Sequence, residues 1–445
     1  MNAVINLFRI PDLRKKIYLT FLLLLVYRMG FHIPLPGVDW TRMEEIGNRF
    51  SSGAVSYAFG IMNTLSGGSI ASCAIFSLGV MPYISASIIL SLLTKVVPAL
   101  EQLSKEGQAG QKKINQYNRL LTVPLCVVQS LLVIRGILAQ GVDELGIIDP
   151  VKFHSFWYQV FVILTFTVGT LFVMWLGEQI TEYGIGNGIS LIIMSGIVSD
   201  FPGLFAQYLG RLTESSERVQ TVAMFIALYA AVVFFVVYIT KAQRRIPIQQ
   251  AKLMRGRRIY GGSRHYLPLK VNQANVMPII FASALFILPT YLGKIPGLHF
   301  IGEVFSYGKF WYILAYCGLI YFFSFFWTAL MFQPNELANN LKEYGGFIPG
   351  LRPGKRTADF LESVMVKITL AGATFLAIIA LLPQVITSNL TLQPYLAHYL
   401  GGTSILIVVG VCLDLVDKLN SFLVMRNYDG FMGGSSSSWA RERKR

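Results

Sequence analysis

Residues that could do catalytic chemistry are few and scattered in this sequence. Its five histidines all lie in loops or at the ends of apolar runs: His32, His154, His265, His299 and His398. No two of them are spaced to share a helix face, and no serine within an apolar run has a plausible base beside it. The sequence therefore argues against an enzyme, and we predict no catalytic residue, metal ion or cofactor.

The cysteines and a glycine-rich run do not change this conclusion. The four cysteines fall in or beside separate apolar runs without metal or redox spacing: Cys73, Cys126, Cys317 and Cys412. The run GIGNG, 184–188, resembles a dinucleotide-binding loop but precedes an apolar run and follows no predicted strand. We interpret it as a flexible start to the helix that follows.

Composition and apolar runs predict an all-α integral membrane protein. The chain has 445 residues, of which 54% are hydrophobic and only 14% charged, far more apolar surface than one soluble core needs. Charge-poor runs of roughly 17 to 25 residues are long enough to cross a bilayer as helices. We predict ten such spans, at 17–33, 75–93, 120–139, 155–176, 188–208, 219–240, 272–292, 310–332, 364–383 and 403–424.

The distribution of positive charge predicts the orientation of these spans. The net charge is +15, and most of the 38 Lys and Arg residues lie in the N-terminal segment, alternate loops and the C-terminal end. Positive segments remain in the cytoplasm. We therefore predict that both termini are cytoplasmic, and we attribute the basic balance mainly to membrane topology.

A secondary transporter of a small solute is the main alternative. Transporters place ionisable residues within their helices, and the predicted spans offer little beyond Arg28, Asp414 and Asp417. Arg28 can extend outward from a helix end, and the aspartates lie near the cytoplasmic end of span 10. The uncharged polar residues in these runs are typical of bonds between helices: Ser85, Ser87, Gln129, Asn275 and Ser283.

Two predicted cytoplasmic loops, 241–270 and 333–363, are long for a simple helix bundle. The first carries nine basic residues and no acidic one. Its arginines suit phosphate or carboxylate groups, which guanidinium binds through two hydrogen bonds. We expect a macromolecular partner at this loop, with anionic lipid headgroups as the competing target.

Several motifs, in order along the chain, resemble the SecY family, the channel subunits of the bacterial protein-translocation machinery. They include FSLGVMPYISASII, KEGQAGQKKINQY, QRRIPIQQAK, LPLKVNQANVMPIIFAS and FIPGLRPGKRT. The resemblance extends from about residue 5 to residue 430.

The resemblance implies two inverted five-helix halves, 1–210 and 211–430, around a central pore. It also implies a re-entrant plug at about 61–72, centred on Leu65, Ser66, Gly67, Gly68 and Ser69. Span 2 would then begin near Ala74, with a kink at Pro82. We expect the tail 431–445 to be disordered.

The resemblance also assigns site residues. A hydrophobic pore ring would consist of Val80, Ile84, Ile189, Ile193, Ile280 and Ile407. A lateral gate between spans 2 and 3 on one side and 7 and 8 on the other would include Ser85, Ile88, Gln129, Ser283 and Leu288. A docking surface for the ribosome or the SecA motor ATPase would include Arg245, Arg257, Arg258 and Arg352.

These assignments predict a protein-conducting channel in a bacterial-type inner membrane. It would move unfolded polypeptides across the membrane, insert apolar helices sideways into it, and draw energy from a bound partner. The expected partners are SecE-like and SecG-like small membrane subunits, SecA, the ribosome, signal peptides, unfolded substrates and anionic lipids.

Overall fold

The computed structural model describes residues 11–38, 74–135, 153–211, 215–250, 253–255, 258–260, 264–292, 300, 304–305, 309–390 and 403–442. Its helices are α1 Pro11–Met29, α2 Met81–Val96, α3 Pro98–Lys105, α4 Gln108–Val133, α5 Phe156–Tyr183, α6 Gly188–Arg211, α7 Ser215–Lys241, α8 Met277–Leu292, α9 Phe310–Met331, α10 Pro334–Glu343, α11 Lys355–Leu390 and α12 Thr403–Glu442. Its strands are β1 Gln243–Gln250, β2 Leu253–Arg255, β3 Arg258–Tyr260, β4 Arg264–Lys270 and β5 Gly346–Phe347.

Each of the ten predicted spans contains a helix, and the short helices α3 and α10 lie outside those spans. Within the described residues, four helices are long and apolar enough to cross a membrane. The pair α2 and α3, bent by 100°, would make a fifth. Large apolar side chains such as Phe21, Phe234 and Phe322 are mostly exposed, as expected of surfaces that face lipid rather than water.

The chain divides into two compact units. Unit 1 comprises Met1–Phe50, Met62–Leu204 and Gly410–Arg445, and unit 2 comprises Ser51–Ile61 and Phe205–Val409. In unit 1, α2 packs against α4, and α5 packs against α1 and α4. In unit 2, α9 packs against α8 and α11. The inverted relation of the two predicted halves stays a prediction.

Span 2 begins later than we predicted. Residues 74–80 form a buried non-helical segment, and α2 starts at Met81. Gly79 has a φ of +51°, which no helix accommodates, and Pro82 lies in the first turn, where its missing N–H costs nothing. The predicted kink at Pro82 is therefore wrong, because the proline starts the helix instead of interrupting it.

The predicted loop 241–270 forms strands. Strand β1 pairs antiparallel with β4, from Gln243 opposite Lys270 to Gln249 opposite Arg264, and at its other edge with β5. Buried Ile246 and Leu269 join residues of α11 in an apolar core that includes Leu361 and Ile368. Alternation of apolar and polar residues around Ile246 and Ile248 is the signal that could have predicted a strand.

The C-terminal tail continues as helix. Helix α12 is 40 residues long and reaches Glu442, about 60 Å at 1.5 Å per residue. The expected disorder of 431–445 is therefore wrong for 431–442. The glycines and serines there are poor helix formers, but extending an existing helix adds one hydrogen bond for each residue fixed.

Candidate functional site

The predicted gate residues of unit 1 form a polar contact between α2 and α4. The Ser85 hydroxyl donates to the carbonyl oxygen of Met81 at 3.0 Å, and Gln129 Nε2 donates to Ser85 Oγ at 3.4 Å. Both side chains are part-buried, and Ile88, on the same helix, is buried. The longer of these bonds is weak, so little energy is needed to separate the two side chains.

The predicted gate residue of unit 2 has a partner that sequence reasoning missed. The Ser283 hydroxyl donates to the carbonyl oxygen of Ile279 at 2.7 Å, and its oxygen lies 2.9 Å from the hydroxyl of Tyr316 on α9. Because the single Ser283 hydrogen is already used, Tyr316 is the donor. A tyrosine among aromatic neighbours in α9 gave no distinct sequence signal. Leu288 lies on α8, and its side chain is outside the described residues.

Helix α6 begins at a tightly packed turn. Asn187 Oδ1 accepts from the backbone N–H of Ile189 at 3.2 Å, and Thr181 Oγ1 accepts from the N–H of Gly188 at 2.8 Å. A side chain at Gly188 would overlap the carbonyl oxygen of Gly177. Our interpretation of GIGNG as a flexible start is therefore wrong, because capping and glycine packing fix this turn.

Four of the six predicted ring residues lie in unit 1. Val80 is 2% exposed and accepts the N–H of Ile84 at 3.0 Å at the start of α2. Ile189 and Ile193 lie in the first two turns of α6, and Ile189 packs on Gly177. In unit 2, Ile280 lies on α8 and is part-buried, and Ile407, on α12, is 8% exposed.

Two of the four predicted docking residues have described side chains, Arg245 and Arg352. Arg245 is exposed on β1 and follows the strand alternation, since its neighbour Ile246 points into the core. Arg352 is exposed just before α11, and its carbonyl oxygen accepts from Thr357 Oγ1 at 2.9 Å. Arg258 lies on β3, while Arg257 and the plug residues 65–69 lie outside the described residues.

Among the described residues of unit 1, two ion pairs join helices. Arg28 on α1 donates to Asp200 on α6 at 3.1 Å, so it does not extend outward as predicted. Arg119 on α4 holds Glu178 on α5 through two contacts of 2.8 Å. Asp200 was missed as a functional candidate although a lone acid in an apolar run was a signal for a buried partner.

Other polar candidates have local roles. Asp414 pairs with Lys418 one turn later on α12, and both are exposed. Asn275 lies before α8 in the left-handed region with a φ of +52°, so it is not within a span as we predicted. No group of three potential metal ligands occurs among the described residues.

The SecY family model matches residues 74–416. The chain belongs to the SecY family. The Protein translocase subunit SecY of Streptomyces coelicolor is 42% identical over 97% of this chain and all of the relative. Membership makes this chain a multi-pass membrane protein and a channel subunit of a protein translocase, not an enzyme or a solute transporter.

Solved structures share the fold of the SecY family with this chain. One, described as "The structure of a protein conducting channel", is 18% identical with a TM-score of 0.57 and 92% of both chains covered. A second concerns a SecY plug domain that "stablizes the closed state of the translocation channel"; it is 20% identical with the same score and coverage. The predicted all-α membrane fold is therefore confirmed, and membership of the SecY family confirms the predicted channel function.

Proposed function

We propose that this chain forms the pore through which unfolded polypeptides cross a bacterial-type inner membrane, with both of its termini in the cytoplasm. The excess of Lys and Arg in alternate loops supports this orientation. Apolar segments leave the pore sideways into lipid, and signal peptides open it.

The ring that closes the pore consists of Val80, Ile84, Ile189, Ile193, Ile280 and Ile407. The observation that carries this proposal is that all six are aliphatic, and that the most enclosed of them, Val80, Ile193 and Ile407, are at most 8% exposed. Such a ring offers an ion no replacement for its hydration water, yet its side chains can move aside for a peptide.

The gate and the plug complete the closed state. Ser85 and Gln129 supply one polar surface of the gate, and Ser283 with Tyr316 supplies the other. Ile88 and Leu288 supply apolar surface to an entering signal helix. Residues 61–72 act as the plug, by analogy with the plug domain of the related SecY channel.

Docking takes place on the basic segment 241–270 and on the loop 333–363. Arg245, Arg257, Arg258 and Arg352 bind rRNA phosphates of the ribosome or carboxylates of the SecA motor. Within the described part of the chain, Arg245 and Arg352 form no ion pair, so both guanidinium groups are available to a partner. SecE-like and SecG-like subunits and anionic lipids are the remaining partners.

The substitution Ile407→Asn tests the ring. An amide lowers the cost of stripping water from an ion, so we expect ion leak through reconstituted protein to increase severalfold over the parent. The matched control is Ile378→Asn on α11, because Ile378 is 52% exposed. We expect the control to lose stability without leaking. If Ile407→Asn leaks no more than Ile378→Asn at equal folded amounts, the six-residue ring is wrong.

A further inference from the structure

The Arg28–Asp200 ion pair is an unusual feature of two otherwise apolar segments. Its side chains are only 32% and 18% exposed, and Arg28 Nη1 is buried without a hydrogen-bond partner among the described residues. A charge in such a place is costly unless it is paired. As long as both side chains are charged, the pair therefore holds α1 against α6.

Helix α1 also contacts the turn before α6. The Thr20 hydroxyl donates to the carbonyl oxygen of Lys16 at 2.8 Å and accepts from the N–H of Ile185 at 3.2 Å. A side chain at Gly184 would come within 2.5 Å of the same hydroxyl oxygen. Helix α1 thus contacts Ile185 and Asp200. In the sequence, the first precedes Ile189 and Ile193 and the second follows them.

The backbone that carries Arg28 is itself held by aromatic packing. Tyr27 is fully buried, lies edge-on to Phe31 at 4.9 Å and stacks with Phe76 at 6.2 Å. The Arg28 guanidinium lies 4.9 Å from the centre of the Phe31 ring, a distance at which cation and ring attract each other. Arg28 is therefore a fixed point from which Asp200 can be positioned.

We propose that Arg28 and Asp200 are positioning residues that set the rotation and depth of α6, and through it the placement of Ile189 and Ile193. Thr20 fixes the start of α6, and the ion pair fixes it three turns further on. With the pair broken, α1 holds α6 at its start only, and the restraint that α1 places on the rotation of α6 near Asp200 is lost. This proposal rests on the proposed pore ring for its effect on ion leak, but not for its effect on the position of α6.

The test uses Asp200→Asn, which removes the charge at constant volume, Arg28→Gln, which removes it with a shorter side chain, and Arg28→Lys, which keeps it. The first readout is ion leak through reconstituted full-length protein. We expect both neutral variants to leak about tenfold more than the parent, the change produced by about 1.4 kcal/mol against the closed state. Arg28→Lys should lie close to the parent. The matched control is Glu178→Gln, which breaks the α4–α5 ion pair without touching α6.

The second readout follows α6 directly. With the four native cysteines replaced by Ser, Ile193→Cys reports the access of water-soluble thiol reagent to that position. We expect Asp200→Asn to change its labelling rate severalfold, and Glu178→Gln to leave it unchanged. Unchanged labelling in Asp200→Asn at equal folded amounts overturns the positioning role, whatever the leak. If Asp200→Asn changes the labelling but neither Asp200→Asn nor Ile407→Asn increases the ion leak, the positioning role is kept and the proposed pore ring is rejected.

Discussion

The polar contacts between helices in units 1 and 2 differ in that only those described for unit 1 include ion pairs. In unit 1, ion pairs join α1 to α6 and α4 to α5. In unit 2, hydroxyl pairs join α8 to α9 through Ser283 and Tyr316, and α9 to α11 through Tyr321 and Thr374. Separating the part-buried Arg28–Asp200 pair leaves two poorly solvated charges, whereas separating two hydroxyls costs little. We therefore expect this ion pair of unit 1 to hold its helices more firmly than the hydroxyl pairs of unit 2, and the 3.4 Å contact of Gln129 with Ser85 in unit 1 to be as weak as those pairs.

Backbone packing strengthens the contrast. In unit 1, Gly188 brings the start of α6 against the carbonyl oxygen of Gly177. In unit 2, a side chain added at Gly318 in α9 would meet no described atom outside the backbone of its own helix within 4 Å. Among the described glycines of unit 2, one makes a comparable approach: a side chain at Gly372 on α11 would meet the carbonyl oxygen of Val271, just after β4.

The largest effect is expected from Gly188→Ala. The added methyl group overlaps backbone that cannot turn aside, so we expect a loss of more than about 4 kcal/mol in the free energy of unfolding. The measurement is thermal unfolding in detergent, with the folded yield. Gly318→Ala is the matched control and should be neutral or slightly stabilising, since alanine favours helix. Equal stability of the two variants would remove the contrast in packing.

A smaller effect is expected from Leu361→Ala under the β1–β4 segment. Leu361 is fully buried in the apolar core of unit 2, and such truncations cost about 2 to 4 kcal/mol. Proteolysis of the β1–β4 segment measures the destabilisation by Leu361→Ala.

A still smaller effect on stability is expected from Arg245→Glu, because Arg245 is exposed. The free energy of unfolding should change by no more than about 0.5 kcal/mol, but binding to ribosomes or to the motor should weaken. Sedimentation with ribosomes or motor at increasing salt measures the binding of Arg245→Glu. Unchanged binding by Arg245→Glu would reject that docking residue.

The smallest effects compare single bonds of the two units. Tyr316→Phe removes the bond to Ser283, and we expect a cost of about 0.6 kcal/mol. Arg119→Leu removes a part-exposed ion pair with good geometry and should cost about 1 kcal/mol. Chemical unfolding of both variants in the same detergent gives the comparison. If Tyr316→Phe lowers the free energy of unfolding more than Arg119→Leu does, the hydroxyl pair of unit 2 holds its helices more strongly than this ion pair of unit 1, contrary to our expectation.

The sequence by itself determined the class of fold and the family. Ten apolar runs predicted the approximate places of ten helices, and each run contains a helix in the structure, because a helix in lipid must satisfy its own backbone and shield it with apolar side chains. Motifs such as FIPGLRPGKRT led to the family because they are long and specific. The contact of Gln129 with Ser85 also follows a sequence expectation, since polar residues in adjacent spans favour each other.

Only the tertiary structure decided which residues meet across long separations in sequence. Arg28 and Asp200 lie 172 residues apart, and Ser283 and Tyr316 lie 33 apart. Local periodicity carries no information on such partners, because it reports which face of a helix is buried and not what covers it. The late start of α2 and the fixed turn at GIGNG, 184–188, were likewise missed, since a glycine's role depends on the backbone that packs against it.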